Sequence, residues 1–121
     1  MPHMIIDTSL SLPEIEAQFS KQHVVEGDIN IRFLEAFLSQ DGVTLLIDTY
    51  INENPITQRI GLQIRQRDNG EIVIRLHEIG FPRSAMGLQI AVRELANWVV
   101  SLHPDTKIIR HNLGTEEMLS V

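Results

Sequence analysis

Pro2 is the residue in this chain with the sharpest chemical potential. Initiator methionine is removed when the next residue is small, so the mature chain is expected to begin with a secondary amine. An α-amino group titrates near pH 8, and desolvation lowers the pKa of an amine further. The result is a base poised near neutral pH, suited to taking a proton from carbon beside a carbonyl. Arg83 is the second candidate. It precedes the strongest helical segment, where a cation opposes the helix dipole. Beside exposed backbone amides it would bind a carboxylate, and the plain alternative is a solvated loop arginine. Arg59, Arg65, Arg67 and Arg75 share the outward side of an expected hairpin, with Arg67 across from Glu71. They could form an anion or subunit contact, or simply a charged solvent face. His3, His23, His77, His103 and His111 show no metal-ligand spacing, so no metal is expected. No glycine-rich phosphate loop or Ser-His-Asp pattern occurs. Glu78 could serve as an acid, or be a solvated strand-end residue.

The elements that would position these residues follow from periodicity. His3 to Thr8 is a short apolar run, expected as a buried strand. Ser11-Leu12-Pro13-Glu14 fits a capping box, and Leu12, Ile15 and Phe19 continue at helical spacing, predicting a helix over 12–22. In 28–40, Ile29, Ile31 and Phe33 alternate like a strand, whereas Leu34, Phe37 and Leu38 suit a helix closed by Gly42; helix is the expectation. A strand over 43–51 follows. Ile60, Leu62 and Ile64, then Ile72, Ile74 and Leu76, alternate around Asp68-Asn69-Gly70. A two-residue loop would set polar against apolar residues. A three-residue loop pairs Ile64 with Ile74 and Leu62 with Leu76, with Gly70 left-handed. Leu88, Val92, Leu95, Val99 and Leu102 predict a helix over 84–102, ended by Pro104, and a last strand is expected over 106–111.

The chain has 121 residues, 43% hydrophobic and 21% charged, which suits a single domain spanning 1–121. A formal net charge of −6 argues against nucleic-acid partners. With no cysteine, disulfide scaffolds and thiol catalysis are excluded. No apolar run reaches membrane-spanning length, and Met1-Pro2-His3-Met4 lacks the features of a signal peptide, so a cytoplasmic location is expected.

The run from Pro2 to Leu10 resembles the start of the tautomerase superfamily, whose members begin with a catalytic proline on a short apolar strand. Ile79-Gly80, Arg83-Ser84 and His103-Pro104-Asp105 resemble the family's strand end, the residues just after it and the turn beyond the second helix. Gly27, Asp28 and Pro82 depart from its pattern, as does the length of the hairpin. The resemblance implies an α+β fold of tautomerase-like β-α-β units. It would form a mixed sheet with helices on one face and an extended hairpin around residues 58–78. It also implies a homotrimer that isomerises a small α-keto or unsaturated carboxylate without a cofactor. Pro2 would shuttle the proton, Arg83 would hold the substrate carboxylate and the backbone near Ile79 would line the pocket. The alternative is a noncatalytic α+β binding or assembly module.

Overall fold

The computed structural model describes residues 2–67, 69–77 and 85–112. The apolar run after Pro2 forms strand β1, His3–Asp7, with Met4 and Ile6 fully buried. Ser11 then caps helix α1, Leu12–Ala17. Its hydroxyl accepts the Glu14 N–H at 3.3 Å, and the Glu14 carboxylate accepts the Ser11 N–H at 3.0 Å. That backbone bond holds the Glu14 carboxyl below its ordinary pKa. The helix stops well short of residue 22. Only Leu12 and Ile15 reach the core from it, and Phe19 turns instead against Trp98, ring edge to face at 5.7 Å.

The segment expected to be helical is a pair of strands, β2 (Gln22–Glu26) and β3 (Ile29–Leu38). Glu26 pairs with Ile29 across a two-residue loop in which Gly27 takes φ 57°. A glycine in the first position of a two-residue loop suits the twist of a hairpin. Strands β4 (Thr44–Glu53), β5 (Ile56–Gln66) and β6 (Glu71–Leu76) continue the meander. Helix α2, Ala85–Ser101, then carries the chain to β7, Lys107–His111.

The strand order is β2-β3-β4-β5-β6-β1-β7, and every adjacent pair is antiparallel. This overturns the expected tautomerase-like β-α-β architecture and its mixed sheet. Strand accounts for 51% and helix for 22% of the described residues, as a curled half-barrel with two helices. The physical reason is connectivity. Tight turns join β2 through β6, and such turns can only make antiparallel neighbours. β1 then lies between β6 and β7, antiparallel to both, with the second half of the chain on either side.

Both helices pack on one face. Leu12 and Ile15 of α1 and Leu88, Val92, Leu95 and Val99 of α2 join Ile6, Ile31, Phe33, Ile47, Leu62, Ile64 and Ile74 in one apolar cluster. Arg93 on α2 bonds Glu26 of β2 at 3.2 Å and Glu94 at 2.7 Å, which ties the edge strand to the helix. No helix among the described residues is long and apolar enough to cross a membrane.

The β5–β6 hairpin has the register its apolar face demands. Ile64 pairs with Ile74 and Leu62 with Leu76, the Arg67 N–H meets the Glu71 carbonyl at 2.8 Å, and Gly70 has φ 80°. A Cβ at Gly70 would touch nothing, so substitution there strains only the backbone. Gly70→Val is expected to cost about 1 kcal/mol or more, read as a lower urea midpoint with unchanged slope. An unchanged midpoint would refute the left-handed turn.

Candidate functional site

Alternation along the strands sends every second residue to the face without helices. Register then fixes which of these meet. Across β5, β6, β1 and β7, Arg65 lies opposite Val73, Val73 opposite Ile5 and Ile5 opposite Arg110. One step along, Gln63 faces Arg75 and Arg75 faces His3. Ile5 and Val73 are only 5% and 8% exposed.

Among the described residues, three open clefts lie on the strands of this sheet. One, of about 550 Å³, is lined by His3, Ile5, Arg67, Ile109, Arg110 and His111. A second, of about 520 Å³, lies over β3 and β4 with Asn30, Arg32, Leu34, Tyr50 and Asn52. The third, of about 300 Å³, holds Phe37, Leu46, Gly61 and His77 beside the Asp48–Arg59 pair. Gly61 makes this third cleft possible. A Cβ there would stand 2.9 Å from Leu46 Cδ1 and 3.4 Å from His77 Cβ, so a side chain would fill the notch.

Arg59 grips Asp48 through two bonds, Nε to Oδ1 at 3.0 Å and Nη2 to Oδ2 at 2.5 Å. The guanidinium bonds hold the Asp48 carboxyl below its ordinary pKa. A depressed folded-state pKa means stability that is present above the unfolded value, 3.8, and is lost as pH falls through the folded value. Urea midpoints of wild type and Asp48→Asn are therefore expected to keep a constant gap from pH 7 to 5 and to converge below pH 3.8. A gap that stays constant in acid would refute the pairing.

Pro2 is half-buried, immediately before β1, and lines none of these three clefts. The next residue's N–H donates to Asn112 Oδ1 at 2.7 Å, so the chain start is laid along β7. Ile79, Arg83 and Glu78 lie outside the described residues. Arg59, Arg65, Arg67 and Arg75 are all exposed, as the alternation implied. Arg67 reaches Glu71 at 3.7 Å, and Arg75 Nε donates to Gln63 Oε1 at 3.0 Å. The histidines are scattered. His3 and His111 line the first cleft and His77 the third, His23 bonds Asn30 at 3.1 Å, and His103 meets Asp105 at 2.6 Å.

Gly61 and Arg110 were not singled out by the sequence, and Phe37 only as a residue suited to a helix. Gly61 left a signal, because a glycine inside an alternating strand marks a close approach or a gap. Arg110 left none, since only the sheet order brings it to His3 and Arg67. The chain matches no family model, and no curated protein or solved structure is significantly similar to it.

Proposed function

We propose that this domain is a noncatalytic binding and assembly module that docks a second copy of itself through the helix-free face over β3, β4 and β5. One observation carries the reading: Phe37, 51% exposed, stands beside the notch over Gly61. A large apolar ring and a gap within one patch form a self-complementary surface, the requirement of a two-fold contact. Asp48 and Arg59 border the same notch, so opposite charges can also face each other across the axis. The net charge of −6 opposes association, so the contact is expected to be weak and to tighten as salt screens the repulsion.

Sedimentation velocity over a concentration series tests this. Wild type is expected to shift from monomer to dimer, and Phe37→Asp to remain monomeric with an unchanged melting midpoint. Wild type that stays monomeric at every concentration would overturn the proposal.

The proton-shuttling role of Pro2 rests on the chemistry of a terminal secondary amine and on a resemblance whose implied fold the antiparallel sheet replaces, so the binding reading takes precedence. Turnover of phenylenolpyruvate is expected to stay at the buffer rate. A rate above buffer that Pro2→Ala abolishes would restore the catalytic reading.

A further inference from the structure

The cationic side chains of this acidic chain are not spread evenly. The sequence holds 16 Asp and Glu against 10 Lys and Arg. Yet the stretches 3–7, 56–76 and 107–111, which supply β1, the β5–β6 hairpin with its turn and β7, carry Arg59, Arg65, Arg67, Arg75, Lys107 and Arg110 against only Asp7, Asp68 and Glu71. Six positive charges against three negative leave +3 there, in a chain of −6 overall. The register sets no two of the cations directly opposite each other, yet like charges gathered on one region still repel. Glu71, 3.7 Å from Arg67, and Asp7, opposite Lys107, offset part of this charge, and a bound anion would relieve the remainder.

The cleft within this region is lined by His3, Ile5, Arg67, Ile109, Arg110 and His111. Two guanidiniums and two imidazoles surround two isoleucines, and no carboxylate among the described residues lines it. Guanidinium groups donate in a planar fork that matches carboxylate and phosphate oxygens. Ile5 is 5% exposed and Ile109 39%, so the site pairs donors with an apolar surface.

We infer that this cleft binds a small dianion, a dicarboxylate or a phosphate monoester with a short apolar body. Its size, about 550 Å³, suits a small molecule. A polyanion such as nucleic acid would also meet the acidic remainder of the surface, which repels it. The shared chemistry is two negative charges on clustered oxygens, one set for each arginine. This site is separate from the Phe37 patch and does not depend on self-association.

The test is titration of the ¹⁵N-labelled protein with inorganic phosphate, succinate or acetate at matched ionic strength. Phosphate, succinate or both are expected to shift the amides of Ile5, Ile109 and Arg110, and whichever acts names the oxyanion; acetate is expected to act far more weakly. Arg110→Gln, at an exposed position, should keep the fold and weaken the dianion by about tenfold or more, the effect of one charge-assisted bond. Phe37→Asp should bind as wild type does. Shifts equal for acetate and the dianions, shifts scattered over the molecule, or an unchanged affinity in Arg110→Gln would each overturn the assignment.

Discussion

Phe33→Ala is expected to lower the unfolding free energy by about 3–5 kcal/mol, whereas Phe37→Ala should change it by less than about 0.5 kcal/mol. The two phenylalanines lie four residues apart on the same strand. Phe33 is 0% exposed and packs in the core cluster, while Phe37 is 51% exposed. In a regular strand both would point to the same face, because alternate residues share a side. The bulge between Phe33 and Glu35 reverses this, leaving Leu34 as the extra residue. Beyond it Ala36 pairs with Ile47 and Leu38 with Leu45, so the inward positions change from odd to even numbers. A helix over the same residues would also place Phe33 and Phe37 on one face, being i and i+4. Unequal losses therefore support the bulged strand against both alternatives. Removing a fully buried ring leaves a cavity that rigid neighbours cannot fill. A domain of this size is held by roughly 5–15 kcal/mol, so Phe33→Ala should remove a large share of its stability. Urea melts of both variants provide the measurement. Equal losses would show the β3 register to be wrong.

The same bulge explains what the sequence concealed. Elements with an unbroken period were legible: β1, the capping box at Ser11, the β5–β6 hairpin and the α2 stripe from Leu88 to Val99. In β3 the strand period breaks at Leu34, and the joined halves put Leu34, Phe37 and Leu38 at helical spacing. β2 was hidden for a different reason. It is an edge strand whose Val25 is 59% exposed, and Val24 alone packs on the core, so no apolar face announces it. The fold that the resemblance implied failed at the level of neighbours. Pro2, Ile79-Gly80 and His103-Pro104-Asp105 mark chain starts, strand ends and helix ends, which suit many topologies. None of them specifies that β1 lies antiparallel between β6 and β7. The candidate sites share that limit. The outward set of Arg65, Arg67 and Arg75 follows from the hairpin register alone, but His3 and Arg110 join it only through the order of strands.

Thr106→Val is expected to cost about 1–3 kcal/mol, and Thr8→Val to fall at the upper end of that range, with the double variant losing less than the sum. Thr8 and Thr106 are 8% and 5% exposed, and their hydroxyl oxygens lie 2.8 Å apart. Valine keeps nearly the same shape, so the loss comes from the hydroxyl rather than from packing. Deleting one hydroxyl takes a close partner from the other, leaving Thr8 with the Leu10 N–H and Thr106 with a long 3.5 Å bond to Asp105 Oδ1, so a buried polar group is under-satisfied, which costs more than the bond itself contributed. Thr8 matters more because its oxygen also accepts the Leu10 N–H at 3.0 Å, just ahead of the α1 cap. With both hydroxyls gone, neither is left under-satisfied, so the two losses should couple by about 0.5 kcal/mol or more. The bond joins the end of β1 to the residue before β7. It therefore fixes where Lys107, Ile109 and Arg110 enter the sheet, and with them the wall of the dianion cleft. Hydrogen exchange in β7 should quicken in Thr106→Val more than in β4 or β5. A cycle that closes additively, or exchange that rises evenly across the sheet, would mean that the two hydroxyls act independently and that β7 is anchored by its backbone pairing with β1 alone.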